Sequence, residues 1–274
     1  MSFFDVLFTN IFIQSALMAG FLAAFVSGVI GTFVVVKRIV FISGSIAHSV
    51  LAGMGLFLWL KRSYGIEWLS PLHGALIAAI LSALAIGWIH LHYRQREDAL
   101  IAALWSTGMA IGVIFISITP GSNIDLIDFL VGNIMWVNSV DLQILALLDL
   151  FVLVVVAINY RKFMLICFDE EQSALQDVNV ERHYLLLLSL IAISVVLLIQ
   201  VVGIVLVIAM LALPPTIANL FTNKFSTVMV FAVLLGVAFS FFGIALSFQF
   251  DWPPGATIAL LSGLTYFAAL IWKK

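Results

Sequence analysis

Apolar stretches long enough to cross a membrane, parted by brief polar breaks, run through the chain. A helix needs roughly 17–25 residues to cross hydrocarbon. By that measure the stretches fall at 11–36, 39–60, 72–92, 99–118, 142–160, 184–201, 202–221, 225–250 and 256–272. Continuous apolarity over such lengths predicts spanning α-helices, which pair every backbone group internally. The stretch 184–221 reads in two ways, as two helices turning near Gly203 or as one long tilted helix ending at Pro214-Pro215. The basic residues favour the first. With the polar stretch Arg161–His183 cytoplasmic, two helices there put Lys37, Arg38, Arg94, Arg96, Arg161, Lys162, Arg182, Lys224, Lys273 and Lys274 inside and only Lys61 and Arg62 outside. Short cytoplasmic loops carry that excess of Lys and Arg. The expectation is an all-α, polytopic integral membrane bundle with nine crossings, eight being the alternative.

Composition supports hydrocarbon as the solvent. The chain is 64% hydrophobic and 9% charged, against roughly 25% charged in a soluble domain. Its mean hydropathy is +1.22. A formal net charge of −2 with no basic stripe argues against a nucleic-acid partner. The single cysteine, Cys167, excludes an intrachain disulfide and a cysteine metal cluster. Met1–Asn10 lacks a basic n-region, so the first apolar stretch is expected to be a retained span. No linker separates a soluble domain, and residues 1–274 are expected to form one transmembrane domain. The longest polar excursion, about 161–183, is too short for a catalytic domain. An ATP-binding or substrate-capturing domain would therefore lie on another polypeptide.

Signs of enzyme chemistry are missing. There is no Walker A sequence, no G-x-S-x-G elbow and no H-E-x-x-H. Carboxylates cluster only at Asp169-Glu170-Glu171 and Glu97-Asp98, both at expected cytoplasmic edges. Within "FDEEQSALQDV" (Phe168–Val178) the acidic residues open a short helix, where the dipole favours them. Phe168, Ala174, Leu175 and Val178 supply its apolar side. Such a helix either fits a partner's groove or lies on the headgroups, although a surface helix normally carries Lys and Arg. The stretches "AGFLAAFVSG" (Ala19–Gly28), "LAGMG" (Leu51–Gly55) and "LLGVAFSFFG" (Leu234–Gly243) have small-xxx-small spacing, read as close packing within the bundle or as a homodimer seam.

Gln14, His48, Asp149, Gln200 and Asn219 are polar groups inside apolar stretches. Ionisable residues there face a bundle interior or a water-filled path. Gly44, Ser45, Ser49, Ala52 and Gly53 surround His48 and leave room for a cavity. A neutral imidazole suits borderline metals, although a lone histidine in an apolar helix is more often a satisfied packing residue. Asp149 divides in the same way between structural hydrogen bonding and transport.

Five blocks, running nearly end to end, resemble the membrane permease subunits of ABC importers for zinc, manganese and iron. They are "GTFVVVKRIVFISGSIAHSVLAGMGL" (Gly31–Leu56), "IDLIDFLVGNIMWV" (Ile124–Val137), "FDEEQSALQDVNV" (Phe168–Val180), "VGIVLVIAMLALPPTIANL" (Val202–Leu220) and "DWPPGATIALLSG" (Asp251–Gly263). The resemblance implies a homodimer enclosing a translocation path, two cytoplasmic ATP-binding subunits and an extracytoplasmic metal-binding protein. It implies no permanent cofactor, with a divalent metal ion as the substrate. His48 is the implied transient metal contact, with Ser45, Ser49 and Asp149 as further path-lining candidates. Phe168, Asp169, Glu170, Glu171, Ala174, Leu175 and Asp177 belong to the implied coupling helix on the ATPase. The implied location is the bacterial or archaeal plasma membrane.

Two positions depart from the pattern. Gly44 stands where the family often has an aspartate, one helical turn before the histidine, so only His48 carries over. Without that hard oxygen donor, zinc is favoured over manganese. Asp177 stands where a glycine is usual, and Asp tolerates the left-handed conformation of a helix-ending turn. The rival classes are a stand-alone secondary transporter or channel with a His48–Asp149 proton relay, an ABC permease for a metal chelate, and a membrane scaffold. The first would show paired broken helices in symmetric halves, and no such repeat is evident.

Overall fold

The computed structural model describes residues 7–93, 97–121, 134 and 137–273, and no strand occurs among them. The helices are α1 (Ile11–Val36), α2 (Val40–Tyr64), α3 (Pro71–His92), α4 (Glu97–Ile118), α5 (Ser139–Phe168), α6 (Glu170–Leu175), α7 (Val180–Phe221), α8 (Phe225–Phe250) and α9 (Pro254–Trp272). Among the described residues nine segments are long and apolar enough to cross a membrane. They are α1 to α5, two halves of α7 (Val180–Gln200 and Val202–Phe221), α8 and α9. Of the five resembling blocks, Ile124–Val137 lies outside the described residues except for Ile134 and Val137.

Local chemistry sets the helix ends. Asn10 Oδ1 accepts from the Phe12 N–H at the start of α1. Ser70 and His73 form a reciprocal capping box ahead of α3, with Pro71 in its first turn. Gly65 closes α2 in the left-handed region at φ 67°. Gly203 takes φ 76° and ψ 166° and breaks α7 in two, which decides for nine segments. A residue with a Cβ has no stable place at that φ/ψ.

The Pro214-Pro215 pair does not end the second half of α7, which runs on to Phe221. Proline strips the carbonyl four residues earlier of its donor, which for Pro215 is Leu211. Gly31 of α1 lies directly over that carbonyl oxygen, and a methyl there would overlap it and sit 2.9 Å from Pro215 Cγ. The pair is thus packed tightly against α1 inside its unit. The end of α5 also differs from expectation, running to Phe168 rather than residue 160. Arg161 and Lys162 are good helix formers whose stems extend along apolar surface while their charges reach water. The expected excursion 161–183 is thus helical except at Asp169 and 176–179.

The chain groups into two compact units. The first holds Met1–Arg38, Asp128–Ile158 and Leu197–Lys274, the second Ile39–Ile127 and Asn159–Val196. In the first, the small-residue stretches of α1 and α8 pack on each other. Ser240 Oγ donates to the Gly20 carbonyl at 3.2 Å. A methyl on Gly28 would lie 2.7 Å from the Val233 nitrogen, and one on Gly236 3.1 Å from Ala24 Cβ. The Lys273 ammonium donates to the Leu220 carbonyl, joining two ends that alternation places on the cytoplasmic side. In the second unit α2 packs on both α3 and α4, and "LAGMG" supplies the contact. A methyl on Gly53 would overlap the Gly74 carbonyl of α3, and one on Gly55 would lie 2.9 Å from the Gly112 carbonyl oxygen of α4. All three small-residue stretches therefore serve packing within the chain.

Candidate functional site

His48 sits in the first half of α2, on a helix drawn tight against α4. Gly108 of α4 allows this, since a methyl there would be 2.6 Å from Ser49 Cα. The close approach brings the Trp105 ring over the imidazole, with centroids 4.2 Å apart and planes 17° apart. His48 is half-buried, and its Nδ1 is buried with no hydrogen-bond partner among the described residues. A partnerless imidazole nitrogen is free to accept a proton, a hydrogen bond or a metal ion. Trp105 fixes the ring plane without using either nitrogen. Its role has no sequence signal, because a tryptophan in an apolar span reads as packing.

The serines flanking His48 are buried and their hydroxyl protons are committed. Ser45 Oγ donates across to the Ile101 carbonyl of α4 at 3.1 Å. Ser49 Oγ donates within α2 to the Ile46 carbonyl at 2.8 Å. Gly44 is buried one turn before His48. Among the described residues no group of three or more His, Cys, Asp or Glu side chains is placed to hold a metal.

Asp149 lies in the other unit, on α5. It belongs to the stripe Leu145, Asp149, Val152 and Val156, spaced by four, three and four residues, all buried. The opposite side of α5 exposes Leu147, Leu150, Phe151, Val154 and Ile158, as a lipid-facing helix does. Asp149 is 2% exposed, and neither carboxylate oxygen has a hydrogen-bond partner among the described residues. Burying such a group costs several kcal/mol unless a cation or proton joins it.

At the end assigned to the cytoplasm, α6 follows α5 after a single residue. Asp169 caps it, with Oδ1 accepting from the Gln172 N–H at 2.9 Å. The helix closes in a Schellman turn: the Val178 N–H reaches the Ser173 carbonyl at 3.2 Å and the Asp177 N–H the Ala174 carbonyl at 3.3 Å. Asp177 provides the left-handed residue at φ 58°. The aspartate thus does the work a glycine would do there. Phe168 and Leu175 are 65% and 87% exposed, and Ala174, Asp169 and Glu171 are exposed beside them. Within the second unit the sequence-derived sites form two groups, His48 with Ser45 and Ser49 on α2 and the cluster on α6, while Asp149 belongs to the first unit.

The profile of the ABC 3 transport family matches residues 9–273. This chain belongs to the ABC 3 transport family. As a family member it is a multi-pass helical membrane permease, in agreement with the five sequence blocks, and the stand-alone carrier and scaffold readings fall away. The ABC 3 chain is 47% identical over 259 residues to a Chlamydia trachomatis protein named "Probable metal transport system membrane protein", covering 94% of this chain and 88% of the relative. It is 34% identical over 272 residues to the manganese transport system membrane protein MntC of Halalkalibacterium halodurans, covering 99% and 90%. Among solved structures, PsaBC from Streptococcus pneumoniae in complex with Fab superposes with a TM-score of 0.85 at 26% identity, over 97% of this chain and 94% of that one.

Proposed function

We propose that this chain is the permease subunit of an ATP-driven importer of divalent metal ions, with manganese as its first cargo and zinc as the competitor. The end-to-end similarity to a manganese transport permease carries the choice of cargo. Donor softness at His48, without a carboxylate at position 44, favours zinc instead, and the relative's name outweighs it. Two copies of the chain enclose the path, two ATP-binding subunits dock on the α6 segments, and an extracytoplasmic protein delivers the ion. ATP hydrolysis takes place on those subunits, and the permease holds no cofactor. ATP binding draws the two α6 segments together, and the spans alternate between outward and inward openings.

His48 gives the passing ion one nitrogen. One soft contact suits a conduit, because four-ligand coordination would hold the ion too long to release it. Asp149 is a second polar station, offering a carboxylate within an apolar span. The test is metal accumulation by cells lacking the gene, with manganese, zinc and iron measured in parallel. Loss of manganese uptake, restored by the wild-type gene and not by His48→Ala, supports the reading. Loss of zinc alone moves the cargo to zinc, and unchanged levels of all three metals refute metal import.

A further inference from the structure

Helix α3 carries none of the site residues, yet within its unit it touches both the docking segment and the His48 helix. At its cytoplasmic end, His90 Nε2 lies 3.9 Å from Glu170 Oε1 in the first turn of α6. The His90 ring also lies 5.0 Å, centroid to centroid, from the Tyr184 ring at the start of α7. Tyr184 is 1% exposed, so the imidazole has a rigid wall behind it. The Glu170 carboxylate suits the amide end of α6, and a protonated His90 would suit the carbonyl end of α3.

Further along, Gly87 lets α3 press on the first half of α7. A methyl there would be 2.6 Å from Leu185 Cδ2 and 2.8 Å from Leu188 Cδ1. At the opposite end of α3, Gly74 meets Gly53 of α2 backbone to backbone, and a methyl on Gly74 would lie 2.7 Å from the Gly53 carbonyl carbon. No flexible side chain stands between the two backbones to absorb a displacement, and close-packed contacts transmit strain. Gly53 lies little more than one turn from His48 along α2, and His48 in turn stacks on Trp105 of α4.

We infer that α3 is a strut that carries the displacement of α6 to the His48 helix, and that His90 is the positioning residue at its driven end. The inference rests on the proposed transport function. When an ATP-binding subunit moves α6, the His90–Glu170 contact moves α3, and the Gly74–Gly53 crossing moves α2.

The test uses the permease reconstituted in vesicles with its ATP-binding subunits and its extracytoplasmic metal-binding protein, measuring manganese uptake and ATP hydrolysis together. ATP-dependent uptake by the wild type tests the transport reading itself, and its absence overturns both. With wild-type uptake present, His90→Ala is expected to lower ions moved per ATP about 5-fold. Glu170→Ala lowers the ratio similarly, and the double variant lowers it no further. His90→Lys, which sets an ammonium donor against Glu170, restores most of the ratio. His92→Ala, whose ring stacks on Trp88, leaves it unchanged. An unchanged ratio in His90→Ala, or independent losses that multiply in the double variant, overturns the strut while leaving transport intact. If His90→Ala does not assemble, His90→Gln is read by the same criterion.

Discussion

Gly53→Ala puts a methyl group where α3 already stands. The new carbon would overlap the Gly74 carbonyl oxygen and sit 2.6 Å from Ala78 Cβ and 2.7 Å from the Gly74 carbonyl carbon. Ordinary carbon–carbon contact begins near 3.5 Å, so the two helices must part by about 1 Å. Both obstacles at Gly74 are backbone atoms, so no rotamer change relieves the clash. Overpacking of this kind costs roughly 1–3 kcal/mol, and the full backbone overlap puts this site at the upper end. Alanine's advantage over glycine in a helix returns up to about 1 kcal/mol, leaving a net loss of about 2 kcal/mol. Gly263→Ala is the control, since its methyl meets nothing within 4 Å. It should be neutral or stabilising by up to about 1 kcal/mol. Unfolding of the detergent-solubilised permease by SDS, followed by circular dichroism, measures both. A Gly53→Ala variant within about 0.5 kcal/mol of Gly263→Ala would refute the backbone contact.

Two further outcomes follow from the same coordinates. Asp149→Asn removes a charge whose oxygens hold no hydrogen bond among the described residues, so stability in the same assay should hold or rise, while metal uptake falls if the carboxylate meets the ion. A loss above about 1 kcal/mol would show that the carboxylate is a structural partner. Asp177→Gly removes the cost of φ 58° at the end of α6 and should raise stability by up to about 1 kcal/mol, whereas Asp177→Val should lower it, and the reverse order would rule out the left-handed turn.

What the sequence reveals here depends on whether a feature is local. Gly203 and Asp177 are legible because a turn depends on one residue's own φ/ψ preference: the chain breaks at Gly203, and Asp177 takes the left-handed conformation that Asp tolerates. The nine segments are legible because the length of an apolar run is a local quantity. The end of α5 is not, because Arg161 and Lys162 look like a loop by polarity and behave as helix formers by propensity. Pro214 and Pro215 mislead for a different reason. The α1 backbone packs over this stretch at Gly31, about 180 residues earlier in the chain, and no local pattern pairs the two. His48 is visible as an odd residue in an apolar run, but Trp105, which sets its plane, is one aromatic among many. Asp149 is visible as a charge, while its burial without a partner emerges only from the packing.

The seam between α1 and α8 has a consequence for how this protein can vary. Gly28 lies against Val233, Gly236 against Ala24 and Gly20 against Ser240, while Ser27 in the same stretch of α1 is fully buried with its hydroxyl turned back to the Ala24 carbonyl. Hydroxyls are admitted there and bulk is not. The filter on substitution in that seam is volume instead of polarity: alanine and serine stand at Ala24 and Ser27, whereas at Gly28 even a methyl meets the Val233 backbone. The first valine placed opposite Val233 would pry the two helices apart.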